Sequence, residues 1–397
     1  MILDDRENRF YLQKELVEKY KLPLVVFRIN YPGNKNNYIV STIYKLIKLD
    51  LKYVYQKELN ESEGMVLLAI VDENAMELKQ RMIEIEENHP LGRLLDIDVY
   101  DEFYNQLSRT DYGYSDRLCL MCDDFAKYCI RGRKHTLKDV QDKIFKMFVD
   151  YFSIYVSELI EESMLAELNL LDKPGLVTPI SNGAHDDMDY NLMVKSIRSL
   201  KSGFEQLTKK AFTSDFKTCR QIGIEMEEEM FLATNNINTH KGGIFLFGTL
   251  VLGVVNSLKT SIDLKDMIKI IMSGVSKELN NDAYSSHGKD VYLKYGLLGI
   301  RGQAEKGFPL IFDNLDGDLH KVLFEIMSKC DDTNILYRHD INTLNKVKSD
   351  AARILIKLNI SDIKKLDEEY INKNISPGGA ADLLGGVIFV NRIKEII

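Results

Sequence analysis

A chain of 397 residues has room for two or three domains, each with its own core, and its 45% apolar and 28% charged residues are those of a folded globular protein. The formal net charge of −8 argues against a general nucleic-acid binder or a membrane-surface protein, leaving local anion sites open. The start, "MILDDRENRF", lacks the apolar core of a signal peptide, and five cysteines in so long a chain suit a reducing cytoplasm.

In chain order, four stretches of the first 120 residues are predicted strands. They are "PLVVFRIN" (Pro23 to Asn30), "GMVLLAIVD" (Gly64 to Asp72), "RMIEIEEN" (Arg81 to Asn88) and "LLDIDVYD" (Leu94 to Asp101), rich in branched residues or alternating with period two. Helical spacing in "YIVSTIYKLIKLDLKYV" (Tyr38 to Val54) lies between them, so the expectation is an α+β domain on a small mixed sheet. In "NYPGNKNN" a Pro-Gly turn precedes Lys35, which is either a phosphate contact or merely part of a turn.

Leu95, Ile97 and Val99 alternate with Asp96 and Asp98. On a strand, residues i and i+2 share a face at roughly 7 Å, which suits two carboxylates holding Mg²⁺. Nucleotidyltransferases use such an Asp-x-Asp strand to take charge off a leaving pyrophosphate. Glu84 and Glu86 would supply a third carboxylate from the preceding strand, and the bland alternative is a solvated polar face. "CLMCDDFAKYCIRGRKH" then offers Cys119, Cys122, Cys129 and His135, either four zinc ligands or reduced thiols beside a basic cluster of Arg131, Arg133 and Lys134.

From Thr136 onward helical periodicity dominates: Leu137 to Leu168, Asn191 to Lys209, Asp215 to Met230, Phe245 to Leu258, Leu319 to Lys329 and Asp340 to Leu358. This predicts an all-α second domain. The seam near residue 145 has no Pro/Gly/Ser linker, and the helix from Leu137 running through it predicts rigid attachment. The apolar run "GGIFLFGTLVLGVV" (Gly242 to Val255) is too short to span a bilayer and is expected as a buried helix.

Two loops of this half concentrate unusual residues. In "DKPGLVTPISNGAHDDMDY" (Asp172 to Tyr190), Pro174-Gly175 and Asn182-Gly183 are turn pairs. His185, Asp186, Asp187 and Asp189 are expected at the following helix start, with Asp186 as the cap. In "ATNNINTHKGG" (Ala233 to Gly243), Thr239, His240 and Lys241 precede a Gly-Gly pair suited to phosphate at a helix start, though the Walker spacing is missing. The two loops are expected to wall one site. Later candidates are His287 in "SSHGKD", Arg301 and Glu305 in "GIRGQAEKGFP", Arg338 in "TNILYRHD" and Asp382 in "SPGGAADLLGG".

On "KPGLVTPISNGAHDDMD", "GIEMEEEMFLATNNINTHKGGIF", "GIRGQAEKGFP", "TNIL" and "SPGGAADLL", residues 146–397 resemble triphosphoribosyl-dephospho-CoA synthase. On "NYPGNKNN", "IEIEENHPLGRLLDIDV" and "RLCLMCDDFAKYCIRGRKH", residues 1–145 resemble apo-citrate lyase phosphoribosyl-dephospho-CoA transferase, with a nucleotidyltransferase-like sheet. The resemblance implies two substrates, ATP and 3′-dephospho-CoA, and one protein partner, the apo acyl-carrier (gamma) subunit of citrate lyase. It implies that Asp187 or Glu227 is a base or Mg²⁺ ligand and that His185 and His240 handle protons or phosphate. Lys241 and Arg301 would hold the triphosphate, with Lys173, Asn182, Asn238, Thr239 and Asp382 as further substrate contacts. In the first half, Asp96 and Asp98 would hold the metal, and Lys35, Arg93 and Arg131 the phosphates. Asn235-Asn236 and Arg338-His339-Asp340 depart from the synthase pattern, which has Gly-Gly and Arg-Gly-Gly there. Asn tolerates a left-handed backbone, whereas the second departure weakens a role for Arg338. Two alternatives remain: a synthase whose N-terminal half only binds the carrier, and a zinc-stabilised nucleotide-binding regulator.

Overall fold

The strand carrying Arg28 is central in the first sheet because five of its six residues are buried. The structure, a computed structural model, describes residues 2–280 and 287–397 and divides into two compact units, one up to Tyr151 and one from Phe152 to Glu395. In the first unit β1 (Leu24–Ile29), β2 (Tyr53–Glu61), β3 (Gly64–Val71) and β4 (Leu95–Tyr100) pair in the order β2-β3-β1-β4. The α+β expectation holds, but every pairing is antiparallel, so the sheet is not mixed. Ser62-Glu63 is a two-residue turn between β2 and β3, a connection that only antiparallel strands can use.

Three helices cover the sheet: α1 (Ile2–Tyr20), α2 (Tyr38–Leu46) and α3 (Ala75–Asn88). Leu16 and Val17 of α1 pack with Leu24, Val26, Val66, Leu68 and Ile70. On the opposite face Phe27 stacks on Tyr44 of α2 with ring centroids 5.4 Å apart. The predicted strand "RMIEIEEN" lies instead inside α3. Its buried residues Ala75, Leu78, Lys79, Met82, Ile83 and Glu86 recur at three and four, and Asn74 caps the helix by accepting from the Met76 and Glu77 N–H groups. The Ile-Glu-Ile-Glu alternation is a short coincidence inside that longer period. The predicted helix through Val54 stops at Leu46, and Tyr53–Glu61 is a mostly exposed edge strand.

Two further helices follow, α4 (Ala126–Gly132) and α5 (Leu137–Asn169). The division between the units falls within α5. The second unit is helical throughout its described residues: α6 (Tyr190–Ala211), α7 (Phe216–Ala233), α8 (Lys241–Thr260), α9 (Leu264–Met272), α10 (His287–Tyr295), α11 (Gly299–Glu305), α12 (Pro309–Phe312), α13 (Leu319–Lys329), α14 (Thr333–Arg338), α15 (Ile341–Ile356), α16 (Ile360–Asn372) and α17 (Gly378–Ile393). Aspartates cap six of them: Asp189, Asp215, Asp263, Asp318, Asp332 and Asp340 accept from backbone N–H groups of α6, α7, α9, α13, α14 and α15.

Helix α8 is the axis of this unit. It is longer than the sequence suggests, and its 20 residues are apolar enough to cross a membrane by length and composition. Yet 78% of its most apolar window is buried inside the protein. Phe247 packs edge-on against Phe204 of α6 at 6.1 Å and Phe389 of α17 at 5.9 Å, as in a core helix.

Candidate functional site

The loop before α6 is built around a reversal. Gly183 has φ 59°, and a Cβ there would lie 2.6 Å from the Leu176 carbonyl carbon. The Ala184 N–H donates to the Gly175 carbonyl at 3.1 Å, closing the loop and delivering His185. The residue capping α6 is Asp189, which accepts from the Leu192 N–H at 2.7 Å. Asp186 is therefore not the cap. It stays on an irregular segment with Asp187, three residues too early to reach the orphan donors.

His185 is half-buried. Its Nε2 lies 2.9 Å from Ser376 Oγ, and its Nδ1 is 3.8 Å from Asp187 Oδ1 with no hydrogen-bond partner among the described residues. Burial, then the Arg338 guanidinium, hold this imidazole below the ordinary histidine pKa, while Asp187 and Asp186 pull it up. Arg338 donates to the Ala184 carbonyl at 3.5 Å, so it stays beside His185 despite the altered residues after it. His339 and Asp340 turn away, to the Asn374 carbonyl and to the cap of α15.

The second loop meets the first across a cleft of about 400 Å³, whose lining includes Asn182, Asp186, Asp187, Lys195, Asn235 and Ile237. Asn235 and Asn236 have φ of 55° and 64°, both left-handed, which is the demand that a Gly-Gly pair would meet. Asn238 accepts from the Lys241 N–H at 3.3 Å, and Thr239 Oγ1 lies 2.6 Å from Ser196 Oγ. His240 points inward: it is buried, its Nδ1 is 2.8 Å from Ser196 Oγ, and burial pushes its pKa down to about 4. It is a neutral packing and hydrogen-bonding residue, not an open proton carrier.

Beyond this loop lies a cationic group. Lys241 pairs with Glu227 at 2.7 Å, and the Arg301 guanidinium lies 5.5 Å from the Phe245 ring centroid and 3.7 Å from Glu278. Arg220, which the sequence reading overlooked, also pairs with Glu278. His287 stacks on Tyr337 at 3.5 Å, while Ser285 and Ser286 of "SSHGKD" lie outside the described residues. Glu305 accepts from the Ser276 N–H at 3.0 Å.

Two expectations change. Lys173 is 2% exposed, and its Nζ donates to both the carbonyl and the carboxylate of Glu167, so it anchors the loop internally. Gly242-Gly243 is no phosphate cradle, because the Asp382 carboxylate is already there: a Cβ on Gly242 would come within 2.5 Å of its Oδ2. Burial, with Glu167 and Asp332 nearby, pushes the Asp382 carboxyl well up. An added phosphate would meet that acid rather than open N–H groups.

In the first unit the paired register of β1 and β4 sets Arg28 opposite Asp96 and Val26 opposite Asp98. Cross-strand partners share a face, so both carboxylates lie on the Arg28 side. Arg28 Nε donates to Asp96 at 2.6 Å, and its Nη2 is 3.6 Å from Asp98. Burial, then Asp96, raise the Asp98 carboxyl above its ordinary range. Lys35 belongs to the same group: its charge feels Glu63, Arg28 and Asp96, and burial pulls its ammonium down. Arg28 was the readable residue missed here, a lone cation in an otherwise apolar strand.

The third carboxylate is not available. Glu86 is 4% exposed, accepts from the Ile97 N–H at 3.0 Å and pairs with Arg117, while Glu84 is exposed on α3. Arg93 donates to the Leu118 carbonyl, and Arg131 is exposed on α4. Cys119, Cys122, Cys129 and His135 gather with their ligand atoms within 4.8 Å of one another.

An acid pair with two cations in one unit, and in the other a polar cleft, a buried imidazole and a separate cationic group, are the parts of a bifunctional transferase of phosphorylated substrates. The family model for ATP:dephospho-CoA triphosphoribosyl transferase matches residues 154–397, and that for apo-citrate lyase phosphoribosyl-dephospho-CoA transferase matches residues 1–151. "Protein CitXG" of Haemophilus influenzae is 31% identical over 98% of this chain and 94% of its own length. Its namesake from Leuconostoc mesenteroides subsp. cremoris is 30% identical over 99% and 96%. The "2-(5''-triphosphoribosyl)-3'-dephosphocoenzyme-A synthase" of Haemophilus ducreyi is 31% identical over 68% of this chain and 98% of its own. The chain belongs to the ATP:dephospho-CoA triphosphoribosyl transferase family, fused to an N-terminal member of the apo-citrate lyase phosphoribosyl-dephospho-CoA transferase family.

Proposed function

We propose that the chain makes the citrate lyase prosthetic group in its second unit and attaches it in its first. In the synthase reaction a ribose hydroxyl of 3′-dephospho-CoA attacks the anomeric carbon of ATP's ribose. The new C–O bond forms as the C–N bond to adenine breaks, through an oxocarbenium-like state. His185 is the base: its neutral imidazole keeps an enclosed Nδ1 with no hydrogen-bond partner among the described residues, 3.8 Å from Asp187, which stabilises the imidazolium once the hydroxyl proton arrives. Asn182 and Asn238 frame the substrate, and Lys241, Arg301 and Arg220 hold the triphosphate, with Glu227 orienting Lys241.

In the transferase reaction a serine hydroxyl of the apo acyl-carrier subunit attacks the phosphorus next to the new ribose, and pyrophosphate leaves. Asp96 and Asp98 fit Mg²⁺, being two oxygen donors on one strand face. When bound, that ion supplies charge neutralisation on the departing pyrophosphate. Arg28 and Lys35 hold phosphate oxygens, with Arg93 and Arg131 further out. Cys119, Cys122, Cys129 and His135 form a second candidate cation site, of softer donors suited to zinc. Both reactions belong in the cytoplasm, where free thiols persist.

The observation that carries the proposal is a cleft lined by both motif-bearing loops of the family-matched helical unit. The test is adenine release from ATP and 3′-dephospho-CoA, followed by chromatography. His185→Ala is expected to lower it by about 100-fold or more. Asp96→Asn is expected to abolish attachment to the carrier while adenine release continues. No adenine from the unaltered protein refutes the synthase assignment, and undiminished attachment by Asp96→Asn refutes the acid-pair assignment.

A further inference from the structure

Residues 113–136 of the first unit hold together with almost no apolar core. Apart from α4 and an isolated bridge between Leu118 and Phe125, they lack regular secondary structure. Leu118 is 44% exposed, Phe125 36%, Tyr128 58% and Ile130 75%, and within this segment only Cys129 is buried. Ordering a backbone costs about 1–2 kcal/mol per residue, and so little burial does not offset it. Small segments in that position are commonly held by a metal.

At the centre of this segment is a donor set. Cys122 Sγ lies 3.5 Å from Cys129 Sγ and 3.3 Å from His135 Nε2, and one ligand atom from each of Cys119, Cys122, Cys129 and His135 lies within 4.8 Å of the other three. Zinc bonds of about 2.3 Å to sulfur and 2.0–2.1 Å to nitrogen place tetrahedral ligands roughly 3.4–3.8 Å apart. The Met121 N–H donates to Cys119 Sγ at 3.4 Å, the kind of outer contact that steadies a ligating thiolate.

The same segment is bonded to the acid-pair strand. Arg117, two residues before Cys119, donates to the Leu95 carbonyl at 2.9 Å and pairs with Glu86. Arg93 donates to the Leu118 carbonyl. The Cys119 N–H reaches the Asp124 carbonyl at 2.6 Å, and the Ala126 N–H the Arg117 carbonyl at 2.9 Å, so the Cys-x-x-Cys turn and the Arg117 anchor are one piece. Leu95 immediately precedes Asp96.

We infer that Cys119, Cys122, Cys129 and His135 bind one Zn²⁺ as a closed structural site that fixes residues 117–135 against the acid-pair strand. Four protein ligands leave no open position, so the ion performs no chemistry on the substrate. Its effect on carrier attachment rests on the transferase reading of the first unit; zinc binding itself does not.

The test uses the full chain purified without chelator. Elemental analysis is expected to find equimolar zinc, and Co²⁺ exchanged into the site is expected to show the intense visible absorption of tetrahedral cobalt thiolate. Cys122→Ser and His135→Gln are expected to lose zinc and to weaken carrier attachment by about 10–100-fold, with adenine release unchanged. Should these variants fail to fold, removing zinc from the unaltered protein with a strong chelator gives the same comparison. Absence of zinc together with no thiolate–cobalt spectrum overturns the site. Bound zinc whose removal leaves attachment intact overturns its tie to the acid-pair strand. Lack of attachment by the zinc-loaded, unaltered protein refutes the transferase reading and leaves the metal count standing.

Discussion

Replacing Lys173 with Met separates two roles for a lysine that opens the motif "KPGLVTP". The resemblance makes it a substrate contact, whereas the structure buries it. Its side chain is 1% exposed, and its Nζ lies 2.7 Å from the Glu167 carbonyl oxygen and 2.6 Å from Glu167 Oε1. Removing the ammonium leaves a largely buried carboxylate unpaired, close to Asp382, whose own carboxyl Glu167 already pushes up. Breaking such a pair from one side costs about 3–5 kcal/mol. A unit of this size shifts its Tm by about 2–4 °C per kcal/mol, so a fall of about 6–20 °C is expected. Thermal unfolding followed by circular dichroism measures it. Adding Glu167→Gln to Lys173→Met removes the stranded charge and is expected to recover part of the loss. Below the transition, the KM for ATP in adenine release is expected to stay within about twofold. An unchanged Tm with a strongly raised KM refutes the reasoning, because the ammonium would then be directed at a substrate phosphate.

Two further outcomes test the cleft. If His185 is the base, it works only when neutral, and its depressed pKa keeps it neutral below the ordinary value of 6.5. The acid limb of kcat/KM for adenine release then falls below that pH, and Arg338→Gln, by removing a depressing charge, moves the limb upward; an unmoved limb refutes the pairing. Asn235 holds a left-handed backbone, so Asn235→Ala is expected to cost about 1–2 kcal/mol in denaturant unfolding while Asn235→Gly is nearly neutral. Equal stability of the alanine and asparagine forms would contradict that geometry.

Elements with one dominant period were legible in the sequence, and short or edge elements were not. Helices α6, α7, α8, α13 and α15 sit within a few residues of their expected spans because each has a continuous apolar stripe. Tyr53–Glu61 hid because an edge strand exposed on most positions carries no alternation to read. Arg81 to Asn88 misled in the opposite way, since its local alternation is two-residue while the burial that decides its fate repeats at three and four. Helix α17 hid behind its glycine pairs, which resemble loop punctuation, although the helix is buried along most of its length.

The site divides along a different line. Motifs located the loops, but which polar residue faces substrate and which holds the loop depends on partners distant in sequence. His185 meets Ser376, Gly242 accommodates Asp382, and Gly175 donates its N–H to Asp367 at 2.8 Å. None of these pairings has a local signal. His185 and His240 look equivalent in sequence, each a histidine in a polar loop. They separate only by environment: His240 is buried with Ser196 on its Nδ1, while His185 is partly exposed, with Ser376 on its Nε2. The His185 Nδ1 is enclosed, without a partner among the described residues, and 3.8 Å from Asp187, itself a residue of the cleft lining. The acid pair was more legible because strand geometry alone puts Asp96 and Asp98 on one face. Its balancing charge, Arg28, depended on the β1–β4 register, which no local pattern specifies. Spacing along one element therefore identifies groups that act together, and long-range pairing decides which of them remain available for chemistry.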